Sequence, residues 1–243
     1  MKTKVFNYLL AILTVAAFAA AIVLRQDSTF DLALLADYKG MLVQGFFNAI
    51  LYSVIVLIGS LIVGFIMYIM VKSNWGYFRS LADVLTEIIY GTPLLVLIVI
   101  MAYVIGPAFG THNRTAMGLL AMTVYMAPYM TNVYKAAISS ISEAQYMAMK
   151  LFGFTSYQKY RYLIIPQVVR QLMPPMMNNF SLIIKGSALL SVINRFEIFY
   201  VIKVAQSKTF AFLEGYIVLW ILYLVITLPL SQLTKYIERR YGV

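Results

Sequence analysis

Residues 40–71 have the sequence GMLVQGFFNAILYSVIVLIGSLIVGFIMYIMV, 32 residues without one Asp, Glu, Lys or Arg. A helix needs about 20 mostly apolar residues to cross a hydrocarbon core of about 30 Å. Only helices and closed barrels span lipid, because unpaired backbone groups are too costly there. The stretch lacks the regular alternation of a barrel strand. It therefore predicts a membrane-spanning helix.

The rest of the chain repeats this pattern. The other charge-free stretches of spanning length are residues 5–24, 88–113, 115–134 and 215–234, and a sixth apolar segment, 173–193, is interrupted by Lys185. Hydrophobic residues make up 62% of the chain and charged residues 12%, with a mean hydropathy of +0.83. A soluble domain is about a quarter charged. We predict an all-α integral membrane protein with five core helices and one N-terminal helix.

The distribution of basic residues predicts the orientation, because cytoplasmic loops are enriched in Lys and Arg. If the amino terminus is cytoplasmic and six helices alternate, 12 basic residues lie inside, 6 lie outside and Lys185 lies within a span. Both termini are therefore expected in the cytoplasm. The net charge of +10 is attributed to this topology and not to nucleic-acid binding.

The first apolar stretch has two explanations. Lys2 and Lys4 followed by an apolar run are also typical of a secretory signal. A signal core is about 7–15 residues long, whereas this run has 20 residues. We favour an uncleaved anchor, with a cleaved signal as the alternative. In both cases residues 25–39 lie outside.

The sequence offers little for catalysis. It has no cysteine and one histidine, His112, which argues against thiolate sites, cysteine nucleophiles and multi-histidine metal centres. The P-loop pattern G-x-x-x-x-G-K-[ST] does not occur, so the chain is not expected to hydrolyse ATP. Scattered serines with one remote histidine do not form a hydrolytic triad. We predict no enzyme activity, catalytic residue, metal or cofactor in this chain.

The connection between the fourth and fifth spans, residues 136–169, is the longest on the cytoplasmic side. Its apolar residues recur at helical spacing up to Gly153, which offers a stop. A second short helix is expected after Thr155 or Ser156, whose hydroxyls suit a cap. Pro166 is expected to break the chain before it re-enters the bilayer. The segment suits either a surface helix on lipid headgroups or a docking element for a soluble partner.

Several motifs carry a family resemblance. Gly153 and Pro166 in GFTSYQKYRYLIIPQ are similar to the cytoplasmic "EAA" loop of permease subunits of ATP-binding-cassette (ABC) importers. The segment EIIYGTPLL at residues 87–95 resembles E-x-x-R-G-T-P-L-L of the polar-amino-acid branch. Residues 166–191, with Pro166-Gln167, Pro174-Pro175 and SALLS, follow that branch in order. The similarity covers residues 44–243.

This resemblance implies a type I ABC importer permease, with residues 1–39 as anchor or signal plus external linker and 40–243 as the transmembrane domain. It implies a coupling loop at residues 136–169 that binds an ABC ATPase subunit. It also implies a second permease chain, an extracytoplasmic substrate-binding protein, an amino-acid substrate, and a bacterial cytoplasmic membrane. Mg-ATP would bind in the ATPase. The coupling residues would be Glu143, Ala144, Met147, Ala148, Gly153 and Pro166.

The chain departs from the family pattern at charged positions. Met147 replaces the glutamate of the loop, and Tyr90 replaces the arginine before Gly-Thr-Pro. Asn132 and Gly186 stand where the family has carboxylates. An acid within the membrane would suit a substrate ammonium group. Its loss argues against a cationic substrate or assigns binding to a second, different permease chain.

Polar groups inside the spans define the candidate substrate path, because they are expensive in lipid. Asn178, Ser181 and Lys185 share one helical face, which suits either a pathway or interhelical hydrogen bonds with a snorkelling lysine. Pro93 in the third span suits either a broken helix beside the path or a packing kink, and Pro128 is expected to make a similar break in the fourth span. The candidate path residues are Glu87, Thr92, Pro93, Tyr129, Asn132, Asn178, Ser181, Lys185 and Ser187.

Two other function classes stay open at this point. A stand-alone secondary transporter or channel for small polar solutes would be expected to carry paired acids within its spans, and Glu87 alone supports it weakly. The other class is a membrane-bound enzyme, which would need a set of catalytic residues, or a structural scaffold, which would need none.

Overall fold

The computed structural model describes residues 2–25 and 30–241, and these residues form helices joined by short turns without any strand. The helices are α1 (Lys2–Leu24), α2 (Lys39–Lys72), α3 (Gly76–Gly91), α4 (Leu94–Ala108), α5 (Arg114–Ser139), α6 (Glu143–Leu151), α7 (Ser156–Ile193), α8 (Ile198–Thr209) and α9 (Phe212–Tyr241). The prediction of an all-α protein is confirmed.

Three helical segments of the described residues are long and apolar enough to cross a membrane, namely Leu32–Lys72, Ser156–Ile193 and Phe212–Arg240. The bent pair of α3 and α4 makes a fourth only if the two helices count as one span. Helix α5 is also long, with 26 residues, but its polar side chains set it apart from the apolar spans. Helix α1 has 23 residues, and its described side chains are exposed.

Small side chains let α2 pack closely against α5. The buried residues of α2 recur every three or four positions, so they form one stripe along the helix. The hydroxyl of Thr131 donates to the carbonyl oxygen of Gly64 (2.9 Å), and that of Tyr134 donates to the carbonyl oxygen of Leu61 (3.1 Å). The stripe consists of Gly45, Ala49, Ser53, Val56, Ser60, Gly64 and Met67.

The main core joins α2, α4, α5 and α7. Flexible methionine side chains from α5 fill much of this space, as methionine does in irregular cores. The buried members are Val56, Ile98, Ala102, Met117, Ala121, Met122, Met126, Met130, Ile183, Leu190 and Ile193. This core fixes α7 against α5, and α9 packs on the other side of α7.

The third predicted span, residues 88–113, is not one helix. It is divided at Thr92-Pro93, where the chain bends by 106° between α3 and α4. Pro93 has no N–H to continue the ladder of α3, and its φ of −60° with ψ of 136° is extended. Residues 88–91 therefore belong to α3, and the part of this span after the bend forms α4.

Two predicted breaks were wrong. Pro128 lies buried inside the continuous helix α5, and membrane helices tolerate such prolines when neighbouring groups satisfy the backbone. Pro166 lies within α7 and does not break it. A π-helical stretch, Lys159–Ile164, immediately precedes this proline. Its wider turn accommodates a residue that lacks the N–H donor.

Candidate functional site

Helix α6 ends in a tight reversal formed by local sequence. Gly153 has φ +66°, the left-handed conformation that glycine adopts without a steric penalty. The N–H of Gly153 donates to the carbonyl oxygen of Lys150 (3.2 Å), and that of Phe154 donates to Met149 (3.0 Å). This is the Schellman arrangement, which satisfies the last carbonyls of a helix. The predicted stop at Gly153 is confirmed.

A capping box starts α7 immediately after this reversal. The N–H of Thr155 donates to Gln158 Oε1 (2.9 Å), and the N–H of Gln158 donates to Thr155 Oγ1 (3.3 Å). Two backbone donors at the helix start are thus satisfied reciprocally. At the start of α6, the Ser142 hydroxyl accepts a hydrogen bond from the N–H of Gln145 and caps that helix. The predicted cap at Thr155 is confirmed, but the helix that it starts is the long α7 and not the short helix expected here. The hairpin of residues 142–158 therefore has defined ends.

The hairpin buries one face and exposes the other. Met149 packs with Ile141 and Ile164 in a small apolar cluster that holds α6 against α7. Three large apolar side chains of this segment are 59–86% exposed, namely Met147, Leu151 and Phe152. We call these three residues the α6 apolar face. Exposed apolar side chains grouped in this way mark interaction sites.

Two cavities lie beside the α6 apolar face, and one of them is lined by basic side chains. One of about 220 Å³ lies between Ala148, Phe152 and Leu163. Another of about 400 Å³ includes Lys150 and Lys159. The Lys159 ammonium lies 4.7 Å from the ring centroid of Tyr146, which is cation–π geometry.

The structure gathers most of the sequence-predicted coupling residues on this hairpin. Glu143, Ala144 and Met147 are exposed on α6, and Gly153 is exposed at its end. Ala148 is half-buried, and Pro166 is half-buried within α7.

A polar groove of about 420 Å³ lies between α7 and α9. Asn178, Ser181 and Lys185 face it together, as their helical spacing predicts. Helix α9 contributes hydroxyl groups that sequence reasoning did not single out. The groove is lined by Asn178, Ser181, Leu182, Lys185, Thr227, Leu228, Ser231 and Thr234. Since this lining holds one ammonium group and no carboxylate, its chemistry suits an anionic group.

A second polar cluster lies where α3 ends against α5. The amide Nδ2 of Asn132 donates to the hydroxyl oxygen of Tyr90 (2.9 Å). The rings of Tyr90 and Tyr129 meet edge to face with centroids 5.2 Å apart, and Tyr125 lies beside Tyr129 at 5.8 Å. We call these four residues the tyrosine cluster. Tyr129 and Asn132 thus share one site, and Tyr90 was missed as their partner.

Other predicted path residues lie elsewhere. Ser187 is fully buried, and its hydroxyl donates to the carbonyl oxygen of Ile184 (2.8 Å). Thr92 donates to the carbonyl oxygen of Ile88 (2.7 Å) and helps to end α3. Glu87 is exposed on the surface of α3.

Sequence reasoning also missed a buried carboxylate. Glu197 is fully buried in the connection between α7 and α8, outside the spanning helices. Its Oε1 accepts from the N–H of Tyr200 (2.8 Å), and its Oε2 accepts from the hydroxyl of Tyr223 (3.0 Å). Burial raises the pKa of Glu197 to about 7. The feature of the sequence that could have indicated this buried acid is its position inside the apolar run FEIFYVI, residues 196–202.

Residues 60–243 match the family described as "Binding-protein-dependent transport system inner membrane component". The chain is 29% identical over 210 residues to the probable glutamine ABC transporter permease protein GlnM of Bacillus subtilis (strain 168), covering 86% of this chain and 97% of that protein. It is 25% identical over 216 residues to the glutamine transport system permease protein GlnP of Escherichia coli (strain K12), covering 88% and 99%.

The fold has a similar counterpart among solved structures. The crystal structure of an amino acid ABC transporter with histidines superposes with a TM-score of 0.79 and 26% sequence identity. The alignment covers 88% of this chain and all of that chain.

Proposed function

The chain belongs to the family of inner membrane components of binding-protein-dependent transport systems, and we propose that it carries a polar amino acid as the permease subunit of an ATP-driven importer. Members of this family are multi-pass, non-enzymatic transport subunits that work with a separate ATPase and a binding protein. The amino-acid cargo is supported by relatives whose names specify glutamine or amino-acid transport. The E-x-x-x-G-T-P-L-L segment also supports this branch.

The α6 apolar face carries the proposal for coupling. Met147, Leu151 and Phe152 are exposed on and just after a helix with capped ends. Leaving such side chains in water costs roughly 1.5–3 kcal/mol each relative to full burial. A soluble partner with an apolar cleft would recover this free energy. We assign that role to the ATPase subunit, which would bind Mg-ATP.

Helix α7 gives the docking site a mechanical connection to the substrate path. It begins at Ser156, beside the α6 reversal, and continues past Lys185 to Ile193. Movement of α6 with the ATPase would therefore displace the face that carries Asn178, Ser181 and Lys185. We propose that this displacement changes the accessibility of the groove between α7 and α9.

The substrate chemistry follows from the charges in the path. Lys185 offers an ammonium to a substrate carboxylate, with the amide of Asn178 and the hydroxyl of Ser181 beside it. The tyrosine cluster offers hydroxyl, amide and aromatic groups to an uncharged polar side chain or an ammonium group. A zwitterionic amino acid with a neutral side chain fits these groups better than a dibasic one.

The proposed assembly contains two permease chains in the bacterial cytoplasmic membrane. The distribution of Lys and Arg supports cytoplasmic termini and a cytoplasmic position for α6. Helix α8 then lies on the outer side, where the binding protein would deliver the substrate. The chain itself would need no cofactor.

The test compares two exposed apolar side chains of equal exposure. Leu151 on α6 is 86% exposed, and Phe109 on the α4–α5 connection is 85% exposed. Leu151→Ser, alone or with Phe152→Ser, is expected to abolish co-purification of the ATPase and uptake of labelled glutamine into proteoliposomes. Phe109→Ser should retain the ATPase. Equal ATPase recovery from both variants would contradict docking at α6. Glutamine uptake by the purified chain without an ATPase would contradict the ATP-driven function.

A further inference from the structure

Helix α3 exposes two different faces. Only a narrow stripe of α3, Ala82 and Ile89, is buried against the rest of the chain. Tyr77, Val84 and Ile88 lie on one exposed face, at separations of seven and four residues, and are 64%, 51% and 59% exposed. We call these three residues the α3 apolar face.

The other exposed face of α3 carries charge. Arg79, Asp83 and Glu87 follow one another at intervals of four residues, so they form one stripe along the helix, and all are exposed. We call them the α3 charged stripe. A helix that is apolar on one exposed side and charged on another suits a boundary between lipid and water.

The start of α3 lies where a span ends. The exposed side chains of α2 stay apolar as far as Ile69, which is 53% exposed, and α2 ends at Lys72. Three residues further on, Trp75 stacks edge to face on Phe78 with centroids 5.2 Å apart, and Tyr77 adjoins both rings. Aromatic rings next to Lys residues are typical anchors at the headgroup level of a bilayer.

The direction of α3 agrees with this position. The chain bends by 106° from α3 to α4, so the two axes are nearly perpendicular. If α4 crosses the bilayer, α3 runs along its surface. We propose that α3 lies in the plane of the lipid headgroups, with Trp75 and the α3 apolar face in the acyl boundary and the α3 charged stripe in water.

This arrangement connects the lipid surface to the tyrosine cluster. The aromatic anchor is at the first turn of α3, and Tyr90 in its last turn bonds Asn132 on α5. Lipid contact along α3 therefore fixes the angle at which the chain enters α4 through Thr92-Pro93. The occupant of the α3 apolar face is lipid, because the helix follows a span without any intervening domain.

The absence of cysteine from the chain allows a direct test. Single cysteines replace Tyr77, Val84 or Ile88 on one face and Arg79, Asp83 or Glu87 on the other in the assembled transporter. A membrane-impermeant maleimide is added to inverted and to right-side-out membrane vesicles. We expect charged-stripe variants to react roughly tenfold faster than apolar-face variants, and all six to react equally after denaturation. Equal rates at both faces in intact vesicles would overturn the proposal.

Tryptophan fluorescence gives a second measurement that needs no change in α3. The chain has two tryptophans, so Trp220→Phe leaves Trp75 as its single tryptophan, which can be excited selectively over tyrosine. Phosphatidylcholine brominated near the glycerol backbone should quench Trp75 more than lipid brominated near the methyl ends. Quenching by aqueous acrylamide without quenching by lipid would overturn the proposal. Cross-linking of Val84→Cys between two copies of the chain would also overturn it, by showing that protein covers this face.

Discussion

The hydroxyl of Tyr223 on α9 donates a 3.0 Å hydrogen bond to the carboxylate of Glu197, which caps α8. This contact joins residues that are 26 positions apart. The backbone of Glu197 also touches α2, since a Cβ at Gly45 would lie 3.0 Å from the Glu197 carbonyl carbon. Glu197 therefore meets α8 and α9 through its carboxylate and α2 through its backbone, at one end of the bundle.

The burial of Glu197 predicts a pH-dependent stability. Desolvation raises its pKa to about 7, against hydrogen bonds from Tyr200 and Tyr223 and the charge of Lys203, which lower it. The folded chain therefore holds this proton more tightly than the unfolded chain. Stability is expected to fall as pH rises from about 4.5 to about 7, by up to about 3 kcal/mol, and then to level off. Thermal unfolding in detergent across this range measures the effect.

The matched variant is Glu197→Gln, which resembles the protonated acid. We expect its unfolding temperature to vary less between pH 4.5 and 7 than that of the original chain. An unchanged pH profile in this variant would show that another group controls the transition.

Close packing of α2 against α5 predicts the effect of one added methyl group. A Cβ at Gly64 would lie 2.6 Å from the Cβ of Met130 and 2.9 Å from the carbonyl oxygen of Ala127. Gly64→Ala should destabilise the fold by about 1–3 kcal/mol, as overpacked cores do. Gly40→Ala on the same helix meets nothing within 4 Å and should be neutral or stabilising. Unfolding temperatures of the two variants would distinguish packing from helix propensity.

The reversal after α6 predicts that a side chain at position 153 would strain the backbone without a steric clash. A Cβ at Gly153 meets nothing within 4 Å, but its φ of +66° disfavours a β-branched residue. Gly153→Val should cost roughly 1–2 kcal/mol locally and turn α6 away from its partner. We expect ATP hydrolysis by the assembled transporter to persist while uptake falls.

The control for that reversal is Gly153→Asn, because asparagine tolerates the left-handed conformation. It should preserve coupling. Loss of coupling in the Asn variant to the same extent as in the Val variant would point to a direct contact by glycine instead of backbone geometry.

The groove between α7 and α9 predicts a charge requirement. Lys185→Gln should reduce uptake of a neutral amino acid about tenfold or more, because a charged hydrogen bond contributes roughly 1.5–3 kcal/mol. Lys185→Arg should retain part of the activity. Arg239→Gln, at an exposed position in the last turn of α9, serves as the control for net charge. Normal uptake with the Gln variant at position 185 would remove this residue from the substrate path.

Local rules account for what could be predicted about the coupling hairpin. The stop at Gly153 and the cap at Thr155 depend on residues within a few positions, and both are confirmed. The effect of Pro166 on the helix could not be predicted from the neighbouring residues alone. A π-helical stretch precedes this proline, and its last residue, Ile164, packs in one cluster with Met149 of α6.

The sequence predicted the spans in α2, α7 and α9, because lipid imposes a length and an apolar composition on any segment that crosses it. The contacts between the spans could not be predicted from the sequence, since the apolar faces of different helices are similar in composition. Only the tertiary structure placed Tyr90 beside Asn132, α9 across from Lys185, and Tyr223 on Glu197. The hydrogen bond between Tyr223 and Glu197 joins residues 26 positions apart, and that between Asn132 and Tyr90 joins residues 42 positions apart. At such separations, the packing of whole helices decides which polar groups meet.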